Sequence, residues 1–199
     1  MNMKGTFLTI LLIFFSQLFG QNISEINKAI NISDSLTNEE IRVYKSFEGT
    51  NGSEVFRMYK IDRNNWTVEL YKYFKSIDNN HKSKFEMSKL TSKTDLNLVW
   101  LYILACDVEF LPNIKDIDYK LKGKAEIVLD RGEYYLSNRK IKPLDGNGYK
   151  AFFKDIKKKN NFDFRNFDSY LEEYPDVDEL DSYSKLVNVI QKEFGIWSK

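Results

Sequence analysis

The sequence predicts an α+β fold: a twisted, mainly antiparallel sheet packed against a central apolar helix over about 95–110 and a C-terminal helix over about 176–194. Three observations predict it. Period-two alternation of apolar and polar residues dominates residues 40–90 and returns after 124. Between these stretches the apolar spacing changes to three and four residues. A second stripe with helical spacing closes the chain.

Residues 1–20 comprise a short basic start, Met1-Asn-Met-Lys4, an apolar run from Phe7 to Phe15, and a short segment ending in Gly20. This is the three-part layout of a secretory signal, and residues 1–20 are expected to be removed after Gly20. A bilayer-spanning helix needs about 20 apolar residues, which this run lacks. No later stretch is long and apolar enough to span, so no transmembrane segment is expected after cleavage. Residues 21–39 read as a lead-in segment or short helix with isolated isoleucines, and residues 40–199 as one α+β domain. Export places the protein in the periplasm or outside the cell.

Ile41, Val43 and Phe47 open the first strand, and Asn51-Gly52 is a hairpin turn signal. Val55 to Ile61 forms the next strand, with a turn at 62–65. From Trp66 the alternation is clearest: Trp66, Val68, Leu70 and Phe74 share one face, and Thr67, Glu69, Tyr71 and Tyr73 the other. A polar turn at 76–83 leads to Phe85 and Met87. Four strands with short turns make an antiparallel meander.

Leu96, Val99, Trp100, Ile103, Leu104, Val108 and Leu111 then mark a helix, capped by Ser92 or Thr94 and stopped by Pro112. Leu98, Leu101, Tyr102, Ala105 and Cys106 make its other side apolar too, which predicts burial on more than one side. Strands resume at Ala125–Leu129, with a turn or bulge at Arg131-Gly132 and an extended Tyr134–Leu136. Two more strands carry Tyr149, Ala151 and Phe153, then Phe162 and Phe164, with the chain turning over 157–161. Asn166 is positioned to cap a short helix, and Asp176 with Glu179 has the form of a capping pair. The last helix carries Leu180, Tyr183, Val187, Ile190 and Phe194 and stops at Gly195.

The runs Lys124–Tyr135, Leu144–Tyr149 and Ser169–Pro175 resemble small exported proteins of unknown function from flavobacteria and their relatives, over about residues 112–197. The resemblance implies an exported bacterial protein with a strand-rich body and a C-terminal helix. It implies no catalytic residues.

Composition and motifs exclude more than they assign. Without Lys4 the 30 basic residues become 29, matching the 29 acidic ones. A balanced chain carries no electrostatic footprint for nucleic acid. One cysteine, Cys106, rules out a disulfide framework, and its apolar surroundings read as a buried thiol. The single histidine, His81, sits in a polar turn. One His and one Cys disfavour zinc. Asp145-Gly-Asn-Gly148 lacks the further oxygen ligands of a calcium loop and reads as a turn. The acids between Glu172 and Asp181 complement a helix N-terminus. No serine elbow, phosphate loop or dinucleotide fingerprint occurs. The sequence therefore nominates no catalytic, cofactor-binding or metal-ligating residue and no cofactor.

The aromatics give the one positive signal. Tyr71 and Tyr73 fall on the polar face of their strand, and Tyr59 joins them from the neighbouring one. Exposed tyrosines on a sheet make a contact surface for a protein or glycan partner; the alternative is that a second layer, such as the C-terminal helix, covers them. The leading expectation is a non-catalytic exported binding or interaction protein. The alternatives are a small carboxylate-dependent hydrolase and an envelope-associated structural subunit that self-associates through the apolar helix.

Overall fold

A computed structural model describes residues 23–47, 49–62, 65–76, 83–141, 143 and 146–197. The expected signal peptide, His81 and part of the 145–148 turn lie outside the described residues. The chain divides into two units, Met1–Asp34 and Ser35–Lys199.

In the first unit a short helix, α1 (Ile23–Ala29), fulfils the helical option for the lead-in. Asp34 fastens it, accepting from Ser24 Oγ and from Asn27 Nδ2, both at 2.7 Å.

The second unit starts before residue 40, because residues 35–39 are tied to the first strand. The Thr37 amide donates to the Glu40 carboxylate at 2.6 Å, and Arg42 donates to the Ser35 carbonyl at 3.1 Å. Six strands form one antiparallel sheet: β1 (Glu40–Phe47), β2 (Gly52–Lys60), β3 (Trp66–Phe74), β4 (Lys84–Lys89), β7 (Asn147–Lys154) and β8 (Lys159–Asp163). Their order is β4-β3-β2-β1-β7-β8. The expected meander is present, and β7 pairs with its first strand through the register Val43↔Ala151. The last turn comes earlier than expected, and β8 already starts at Lys159.

Strand alternation gives the sheet two faces. One carries Ile41, Val43, Phe56, Met58, Val68, Ala151, Phe153 and Phe162, all buried. Two helices cover it: α2 (Leu96–Leu104) and α4 (Asp178–Phe194). Trp100 of α2 stacks on Phe153 at 5.5 Å, and Phe194 of α4 lies 5.1 Å from Phe56. Every residue of the expected α4 stripe is buried. Tyr183 stacks on Phe164 at 4.9 Å, and its hydroxyl donates to the Pro112 carbonyl at 2.6 Å. The fold is therefore α+β with the two helices on one side of an antiparallel sheet.

Local details correct several expectations. Helix α2 ends at Leu104, since Asp107 adopts a left-handed φ of 56°. Asp95 caps it, accepting from the Asn97 and Leu98 amides at 2.9 and 3.3 Å. Ser92 and Thr94 instead donate to Glu193 of α4. Only one side of α2 is buried; Leu98, Leu101 and Tyr102 are exposed. Asn166 precedes α3 (Phe167–Glu173) in a left-handed conformation and makes no side-chain cap bond. The cap position of α4 belongs to Val177, so Asp176 and Glu179 do not form a capping box. Gly195 does end α4, at a φ of 66° that favours glycine. A separate two-stranded sheet, β5 (Glu126–Asp130) and β6 (Glu133–Ser137), is a hairpin, so Arg131-Gly132 is a turn and not a bulge. Among the described residues no helix is long and apolar enough to cross a membrane.

Candidate functional site

The face away from α2 and α4 carries Tyr59, Tyr71 and Tyr73, as the alternation requires. Two of the three are covered: Tyr71 is 6% and Tyr73 1% exposed. Their neighbours across the sheet are Val55 and Met87 for Tyr71, and Ser53 and Phe85 for Tyr73. The hydroxyls are engaged within the sheet. Tyr71 donates to Glu69 at 2.7 Å, and Tyr73 to Ser83 at 3.3 Å. These two rings are thus packed elements and do not form a contact surface.

Beside them lies a feature that alternation alone conceals. Glu40, Arg42, Arg57 and Glu69 occupy neighbouring positions on β1, β2 and β3, through the pairings Arg42↔Arg57 and Arg57↔Glu69. Glu40 Oε1 accepts from Arg42 Nε at 2.5 Å and from Arg57 Nε at 2.7 Å. Glu40 and Arg42 are almost fully buried, so two positive groups flank one carboxylate away from water. Burial pushes the Glu40 carboxyl up, but the bonds from Arg42, Arg57 and the Thr37 amide outweigh it and hold the group below its ordinary value. Arg57 also reaches Glu69 at 3.6 Å. Burial, reinforced by the Glu69 carboxylate, raises the Tyr71 phenol to about 12. Sequence reasoning missed this network because charged residues on an alternating strand read as a solvated face. The available signal was the recurrence of opposite charges at matching offsets on three adjacent strands.

Tyr59 sits at the margin of the network and is half-buried. The Arg57 guanidinium lies 3.8 Å from its ring centre. The Tyr59 hydroxyl points to Glu69 at 3.5 Å. On its open side is a cleft of about 630 Å³, lined by residues 37–39, by Tyr59, Lys60, Ile61 and Asp62, and by Ile156. Its walls differ in kind. Tyr59, Ile61 and Ile156 supply apolar surface, and both isoleucines are exposed. Thr37, Asn38, Glu39, Lys60 and Asp62 supply hydrogen-bonding groups. Lys60 and Glu39 pair at 3.1 Å. The Tyr59 side chain is placed by the C-terminal end of strand β2, and residues 37–39 by the Thr37–Glu40 bond.

A second cleft of about 500 Å³ lies between Trp66, Leu90, the 91–95 loop and the start of α2. Several of its polar groups are bound within the protein: Trp66 Nε1 donates to Asn97, Asp95 caps α2, and Ser92 and Thr94 donate to Glu193. Among the described residues no group of three or more His, Cys, Asp or Glu side chains is placed to hold a metal ion.

No family model, curated protein or solved structure matches the chain.

Proposed function

We propose that this chain is an exported, non-catalytic binding protein that holds a short saccharide in the cleft beside Tyr59. One observation carries the reading: a single cleft combines an apolar wall, of half-buried Tyr59 and exposed Ile61 and Ile156, with a rim of neutral and charged hydrogen-bonding side chains. A sugar ring presents C–H surface on its faces and hydroxyls at its edge, and so asks for both. The Arg57 guanidinium and the Glu40 network behind Tyr59 hold its ring in place before any ligand arrives.

A carboxylate-dependent hydrolase finds less support. Glu39 is paired with Lys60. Behind the cleft, Glu40 and Glu69 take their hydrogen bonds from guanidinium, amide and phenol donors. A second reading, an envelope-associated subunit, draws support from the exposed Leu98, Leu101 and Tyr102 on the outer side of α2.

Calorimetric titration with a panel of neutral oligosaccharides tests the proposal. Binding by the wild type, weakened at least tenfold in Tyr59→Ala and unchanged in Leu101→Glu, is the expected outcome. Binding that ignores Tyr59→Ala refutes the site; affinity only for peptides refutes the ligand class.

A further inference from the structure

The hairpin β5–β6 has a composition its surroundings do not explain. Its register pairs Ile127 with Leu136 and Leu129 with Tyr134. Those four side chains therefore share one face. They are 75%, 74%, 57% and 76% exposed in that order. The turn is well formed: Arg131 and Gly132 both have positive φ, 52° and 87°, as a two-residue primed turn requires. The opposite face carries the pair Val128 and Tyr135, and this face carries four large apolar side chains turned to water. An isolated two-stranded hairpin is marginal in water, and its stability depends on a layer against that side.

We propose that this layer is the same hairpin of a second copy, so that the protein forms a two-fold dimer through β5–β6. Area and charge argue for this occupant. The four exposed side chains offer roughly 600 Å² per copy, or about 1,200 Å² for a pair, which reaches the lower range of stable protein interfaces. A two-fold interface brings identical patches together, and face-to-face packing of two small sheets buries all four residues of each. The register places Glu126, Asp130 and Glu133 on the opposite side of the hairpin, so the four apolar side chains of each copy meet without a buried carboxylate. The contact is separate from the Tyr59 cleft and from the outer side of α2, and holds whether or not either takes part in function.

Sedimentation equilibrium of the purified protein, with three variants, tests the proposal. The wild type is expected to self-associate in the micromolar range. Leu129→Lys with Leu136→Lys is expected to be monomeric at every concentration with an unchanged circular-dichroism spectrum. Glu133→Lys, on the opposite side of the hairpin, is expected to change the dimer constant less than twofold. Leu101→Glu is expected to leave it intact. A wild type that stays monomeric overturns the proposal. So does a dimer that survives the double lysine variant, or one lost only in Leu101→Glu. Co-sedimentation of a monomeric wild type with phosphatidylglycerol vesicles overturns it in favour of a lipid surface.

Discussion

The Arg57 guanidinium lies 3.8 Å from the centre of the Tyr59 ring, and the same side chain donates to Glu40 at 2.7 Å. One arginine therefore links the buried ion network of the sheet to the wall of the cleft. Loss of the Glu40 charge that holds Arg57 is expected to reach the cleft through that arginine.

Glu40→Gln removes the anion between Arg42 and Arg57 while keeping the size of the side chain. The expected cost is about 3 kcal/mol, the usual consequence of leaving a buried charge without its partner. Urea unfolding checks this: the midpoint falls and the slope stays that of the wild type.

The same residue sets an acid limit. The Glu40 carboxyl is held below its ordinary value of 4.5 in the folded protein. The unfolded chain thus takes up the proton first as the pH falls. The contribution of Glu40 is complete above the ordinary value and is lost as the pH drops through the lower folded value. Thermal melts across the acid range should show wild-type Tm falling more steeply than that of Glu40→Gln. Parallel curves contradict the assignment.

Tyr71→Phe deletes a 2.7 Å bond to Glu69 and leaves the buried ring in place. A loss of about 1.5 kcal/mol is expected, as for a hydrogen bond to a charged acceptor. Because Tyr71 is buried away from the cleft lining, saccharide affinity should not change. A variant that binds poorly but unfolds like the wild type contradicts this placement.

Cys106 is buried, its thiol donates to the Tyr102 carbonyl at 3.2 Å, and burial raises its pKa to about 11. A disulfide reagent at neutral pH should modify it at least tenfold more slowly in the native protein than in urea. Equal rates contradict the burial.

Much of the fold was legible because strand alternation is a local signal. The two faces of β3, the Arg131-Gly132 turn and the α4 stripe all follow from residues close together in the chain. The placement of β7 beside β1 was not legible: the pairing of Val43 with Ala151 joins distant segments and leaves no local trace. The end of α2 was hidden because apolar spacing continues through Val108 and Leu111, which stay buried after the helix has stopped at Leu104. Of the three tyrosines, alternation placed all on the correct face, but their burial depends on packing above the sheet, which a strand pattern does not encode. The ion network escaped for a related reason. Glu40, Arg42, Arg57 and Glu69 look like solvent-facing residues one strand at a time and acquire meaning only once the strands are paired.

The most direct test of the central claim is an amide chemical-shift titration of the protein with a neutral oligosaccharide selected by calorimetry. The account predicts saturable shifts confined to Thr37–Glu39, Tyr59–Asp62 and the neighbourhood of Ile156, and their loss in Tyr59→Ala. Shifts centred on the 126–137 hairpin or on the outer side of α2, with the cleft unmoved, contradict it.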